Sequence, residues 1–82
     1  METTIMAITI NPRSAHAPEA QTVLTKYGCL IKTRVGVHEI SETSCSERGI
    51  IILHLISKPD EILELEKELK AIEGITVKSI SI

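Results

Sequence analysis

The hydrophobic pattern of this 82-residue chain switches repeatedly between a two-residue and a 3.6-residue period. Residues 4–10, Thr-Ile-Met-Ala-Ile-Thr-Ile, are apolar and β-branched and stop at Asn11-Pro12, which predicts a strand. Residues 15–27 then place Ala20, Val23, Leu24 and Tyr27 at i, i+3, i+4 and i+7, one face of a helix. Ser14 suits the N-cap of that helix, Pro18 its first turn, and Gly28 its end. Residues 29–38 return to alternation. Cys29, Ile31, Thr33, Val35 and Val37 take one side, and Leu30, Lys32, Arg34, Gly36 and His38 the other. Residues 39–48 are polar and predict a loop. Residues 50–57 are apolar on both faces, the mark of a central strand covered on both sides. Pro59, Asp60 and Glu61 open a second helix whose stripe is Ile62, Leu65, Leu69 and Ile72, widened by Leu63 and ended by Gly74. Residues 75–82 alternate as a last strand.

The order βαββαβ predicts an α+β, ferredoxin-like sandwich in a single domain, residues 1–82. Its four-stranded antiparallel sheet has the order 4-1-3-2, with both helices on one face. The other face should then carry half of the third strand, either Ile50, Ile52, His54 and Ile56 or Ile51, Leu53 and Leu55. Leu30, Lys32, Arg34 and His38 of the second strand are expected beside them. A bare patch of that kind covers several hundred Å² and favours a partner. Chain length leads the same way, since apolar burial and chain ordering each come to about 120 kcal/mol and nearly cancel. A homo-dimer or tetramer, joined through the open face or the sheet edges, is therefore expected.

Composition narrows the partners. Tyr27 is the sole aromatic residue, so the chain has no platform for stacking bases. A net charge of −2 and a pI near 5.9 give no field for nucleic acid or anionic lipid. The longest apolar run is too short to span a bilayer, and Met1-Glu2-Thr3-Thr4 lacks the basic start of a signal peptide. A cytoplasmic chain that binds neither nucleic acid nor membrane is expected.

Candidate chemistry is sparse. His16, Cys29, His38, Cys45 and His54 are the soft or borderline metal ligands, and none forms a recognised ligand pair. A metal or redox sensor built on His38, Cys45 and His54 is the alternative reading, since His38 and His54 fall on neighbouring strands and His38 and Cys45 bracket one loop. Ser41, Ser44, Ser46 and Glu42 surround Cys45 without a nucleophile elbow or a base–orienter pair, so no enzyme is expected. No cofactor is indicated. The acid-rich second helix reads as a solvated face.

Four stretches resemble a known family: Leu24-Thr25-Lys26-Tyr27-Gly28, Arg34-Val35-Gly36-Val37, Glu47-Arg48-Gly49-Ile50 and Gly74-Ile75-Thr76-Val77-Lys78. They are similar to the small stand-alone ACT-like proteins, regulators of the iron-only hydrogenase system, over about Ile5 to Ser79. The resemblance implies an ACT fold related to the ligand-binding domain of the nickel-responsive regulator, assembly as dimers or tetramers, and a role in anaerobic hydrogen metabolism. It also implies a small effector near the loop after the first strand and across a subunit interface. Asn11, Arg13 and Ser14 are the matching positions, with Arg34 as a carboxylate or phosphate partner. Residues 39–46 are longer and more polar than the family pattern and add Cys45. Gly36 stands where a closely spaced His pair would need a ligand, so nickel binding does not carry over. With no helix-turn-helix of its own, such a chain acts through another protein.

Overall fold

The computed structural model describes residues 3–40 and 45–82, without the side chains of residues 13, 14, 37–40 and 45–47. Its elements are β1 (Thr4–Ile10), α1 (Arg13–Lys26), β2 (Ile31–Ile40), β3 (Cys45–Leu55), α2 (Pro59–Lys70) and β4 (Ile75–Ser81). The strands form one antiparallel sheet in the order β2-β3-β1-β4, the expected ferredoxin-like arrangement.

β1 alternates cleanly because one face meets the helices. Met6, Ile8 and Ile10 are buried, while Ile5, Ala7 and Thr9 are half-buried on the other side. Leu53 and Leu55 of β3, Val77 of β4, Ala20 and Leu24 of α1, and Ile62, Leu65 and Leu69 of α2 complete the core. α2 follows its stripe, with Lys58 at the N-cap, Pro59 in the first turn, and acids and lysines at the ends the dipole favours, but it ends at Lys70 with Ala71 as its C-cap, short of the expected end at Gly74. Leu63 departs from the stripe and stays 58% exposed.

Several expectations need correction. α1 begins at Arg13, capped by Pro12, so Ser14 lies inside the helix rather than at its cap. Pro18 consequently sits past the first turn, where its missing N–H removes one helical hydrogen bond. Gly28 does not close α1 through a positive φ. Tyr27 caps the helix, and a 3-10 turn, Gly28–Leu30, carries Leu30 into the core. Among the described residues, Gly74 alone has positive φ, at 85°.

Of the expected loop at 39–48, residues 39–40 and 45–48 are strand, and residues 41–44 lie outside the described residues. β2 runs to Ile40 and β3 starts at Cys45, with Ile40 opposite Cys45. β3 meets β1 only over Gly49–Leu55, so its first residues pair with β2 alone. Strand pairing satisfies backbone groups whatever the side chains, and polar residues are acceptable on a ribbon that lies outside the core. An eleven-residue strand spans about 36 Å, in keeping with the overall extents of 43 × 23 × 17 Å.

A bulge changes the faces of β2. Ile31 pairs with Leu55 and Thr33 with His54, leaving Lys32 as the extra residue. From there the parity inverts, and Arg34 lies opposite Leu53 on the helix side rather than on the open face. Leu30, also expected on the open face, is buried.

Candidate functional site

The open face of the sheet is built by register. One row runs Thr33, His54, Ile5, Ile80 across the four strands, and the next runs Val35, Ile52, Ala7, Lys78. Ile50, Thr9 and Thr76 continue the same side. β3 thus takes the register that turns Ile50, Ile52 and His54 outward, while Ile56 leaves the strand and packs partly on the core. Val35 is 49% exposed and Ile80 60%. Lys78 is the single charged residue in these rows, and none is acidic. Of the apolar side chains expected on the helix-free face, Ile50 and Ile52 are therefore there, and Leu30 and Ile56 are not.

The turn after β1 meets the turn before β4. The Asn11 N–H donates to the Gly74 carbonyl at 2.9 Å, and the Ala15 and His16 N–H groups donate to the Pro12 carbonyl at 3.3 and 3.2 Å. The Gly74 backbone lies so close to this turn that a Cβ there would sit 2.5 Å from the Asn11 carbonyl oxygen and 2.6 Å from His16 Cδ2. The Asn11 side chain remains exposed. Arg13 and Ser14 open α1 from the same turn, and their side chains are outside the described residues.

Arg34 does not join that group within one chain. It stands level with Met6, five residues short of Asn11 and two strands away, about 16 Å along the sheet and about 10 Å across it. Its Nη2 donates to Gln21 Oε1 of α1 at 2.6 Å, an anchor between the edge strand and the helix.

The metal alternative is not assembled by the register. His54 pairs with Thr33 and His38 with Gly49, five positions apart on β3, or about 17 Å. Cys45 pairs with Ile40, farther still from His54, and the side chains of His38 and Cys45 lie outside the described residues. Among the described residues no group of three His, Cys, Asp or Glu could hold a metal ion.

One polar cluster escaped the sequence reading. Tyr27, at the end of α1, donates its hydroxyl to Glu68 Oε2 of α2, and Lys26 Nζ reaches both carboxylate oxygens at 3.0 and 3.1 Å. Lys26 Nζ also lies 5.5 Å from the Tyr27 ring centroid. The hydrogen bond to Glu68 pushes the Tyr27 pKa up to about 12, assisted by desolvation and the nearby carboxylate charge. The same bond, then the Lys26 ammonium, holds the Glu68 carboxyl below its ordinary range. Forty-one residues separate Tyr27 from Glu68, and Tyr27 also fits an apolar stripe, so no local pattern marks the pair.

No protein-family model matches this sequence, and no curated protein is significantly similar to it. Solved structures are similar. The uncharacterized protein TM1266 from Thermotoga maritima has a TM-score of 0.84 at 25% identity, over 100% of this chain and 99% of that one. The ACT domain from GTP pyrophosphokinase of Chlorobium tepidum has a TM-score of 0.67 at 16% identity, over 96% and 86% of the two chains. CPII, a nitrogen regulatory PII-like protein from Thiomonas intermedia K12, bound to ADP, AMP and bicarbonate, has a TM-score of 0.61 at 17% identity, over 100% and 93%. The chain has the ferredoxin-like fold of ACT and PII-like proteins. Among the described residues no helix is long and apolar enough to cross a membrane.

Proposed function

We infer that this chain is a small regulatory module that assembles with copies of itself, binds a small effector and acts through a partner protein. In this reading it is cytoplasmic and catalyses nothing. The observation that carries it is the open face, where Val35, Ile52, Ile80 and Ile5 stand in adjacent rows without an acid among them. Burying that surface against an identical one removes it from water and adds the apolar area that an 82-residue chain is short of.

The likeness to an ACT domain and to a PII-like protein bound to ADP and AMP supports effector binding as the use of this fold. The effector is assigned to the turn after β1, with Asn11, Arg13 and Ser14 at hand and any Arg34 contribution coming from another copy. The iron-only hydrogenase system is the setting that the sequence resemblance suggests. Among the described residues no geometry favours the metal or redox reading.

Thermal unfolding tests this function when measured over a hundredfold range of chain concentration against a panel of amino acids and nucleotides. Folding linked to assembly makes Tm rise with concentration, and a bound effector raises it further. Asn11→Ala is expected to abolish the effector's increment. A Tm independent of concentration and unmoved by every compound contradicts the reading.

A further inference from the structure

On the opposite side of the sheet from the open face, a cleft of about 150 Å³ separates α2 from the start of β1 and the end of β4. Three hydroxyls come from the sheet, Thr4, Ser79 and Ser81, and a fourth, Ser57, from the turn leading into α2. The register explains the sheet hydroxyls: Ser79 lies opposite Met6 and Ser81 opposite Thr4, continuing the helix-facing side on which Val77 is buried. Where an aliphatic residue would seal the sandwich, this sequence places serine twice. Thr4 is only 6% exposed, and its Oγ1 lies 3.5 Å from Ser81 Oγ, so this mutual bond is weak and leaves hydrogen-bonding capacity toward the cleft.

The helix wall is different in kind. Ile62 and the exposed Leu63 give it an apolar surface, and among the described residues Glu66 is the only charged one lining the cleft. The Glu66 side chain is 20% exposed, and its Oε1 meets Lys70 Nζ at 3.3 Å, an i,i+4 pair with Lys70 largely in solvent. A pair of that kind contributes little and is readily exchanged for another cation. Asp60 and Glu61 occupy the first turn of α2, so the positive end of the helix dipole is already compensated and an anion gains nothing there.

We propose that this cleft binds a small organic cation, a primary ammonium on a short aliphatic body. The ammonium has three donors, which match the Glu66 carboxylate and two hydroxyl oxygens. The aliphatic part covers Ile62 and Leu63. An apolar cavity of about 150 Å³ accommodates benzene, which sets the ligand at roughly six heavy atoms. The cleft lies about 23 Å along β1 from Asn11. It is separate from the effector turn and from the open face, so its failure leaves the proposed function untouched.

The test is an amide-resolved NMR titration with butylammonium, using butanol and butyrate as controls, on the wild type, Glu66→Gln and Ser81→Leu. Butylammonium is expected to shift the Ser57, Glu66 and Ser81 amides, with butanol weaker and butyrate silent. Glu66→Gln should weaken binding about tenfold or more by losing a charged hydrogen bond, and Ser81→Leu should block it by filling the cleft. Should Glu66→Gln perturb the fold, Ser81→Leu at the solvent-exposed end of β4 decides the matter. Butyrate binding as well as butylammonium, shifts confined to other amides, or binding unaffected by a folded variant overturns the proposal.

Discussion

Gly74 is where a single atom matters most. Its φ of 85° already disfavours an L side chain, and the Asn11 carbonyl oxygen and His16 ring occupy the space of a Cβ. Gly74→Ala should cost about 2–4 kcal/mol, combining backbone strain with overpacking. For a chain of this size that lowers Tm by about 10–25 °C, and a fall below about 5 °C would show that the two turns are not locked together. Tyr27 offers a second test, because the absence of other tyrosines and of tryptophan makes its ultraviolet titration unambiguous. The Tyr27 pKa is raised in the folded state, so its stabilisation is complete below about pH 10 and is lost as pH rises toward 12. The Glu68 shift is downward, so its contribution is complete above the ordinary carboxyl pKa and is lost on acidification. Phenolate absorbance should therefore titrate near pH 12 in the wild type and move back toward 10 in Glu68→Gln. Coincident curves near 10 would contradict the contact. Sequence reading took Gly74 as the end of the second helix, whereas α2 ends at Lys70 and Gly74 serves the turn before β4, and it missed the Tyr27–Glu68 pair. The pair exists only once α1 and α2 pack.

The elements divide by how much of their information is local. α2 was the most legible, since proline, acids, a 3.6-residue stripe and terminal lysines all agree. Even there, Leu63 was grouped with the stripe while the fold leaves it exposed. Leu65→Ala should destabilise by about 2–5 kcal/mol through an unfilled cavity, whereas Leu63→Ala should change stability by no more than about 0.5 kcal/mol. Chemical denaturation distinguishes them, and equal effects would refute the assigned helix orientation. β2 and β3 were less legible. The bulge at Lys32 is a property of the pairing, not of β2 alone, and it moved Arg34 to the helix side. The polar stretch from Glu39 to Arg48 was read as a loop because its composition gives no apolar face, yet a two-stranded ribbon outside the core needs none. Position along the sheet explains why the predicted grouping of Arg34 with Asn11, and of His38 with His54, does not form within a chain, since Arg34 is level with Met6 and His38 with Gly49.

For the molecule as a whole, topology and strand order were readable from the βαββαβ succession of elements, with which the doubly apolar third strand agrees. Its inner residues, Leu53 and Leu55, are buried, and its outer residues, Ile50 and Ile52, face the helix-free side. In the proposed assembly a second copy covers that side. Ile52→Asp places a carboxylate at the centre of the face, where burial against a partner is costly. The substitution should dissociate the assembly while leaving far-ultraviolet circular dichroism intact. A mass unchanged from wild type would locate the contact elsewhere. The most direct test is the molar mass of the wild-type chain in solution, by light scattering at micromolar concentration. Assembly through the open face predicts two or four times the 9.0 kDa of one chain, and a strict monomer would contradict it.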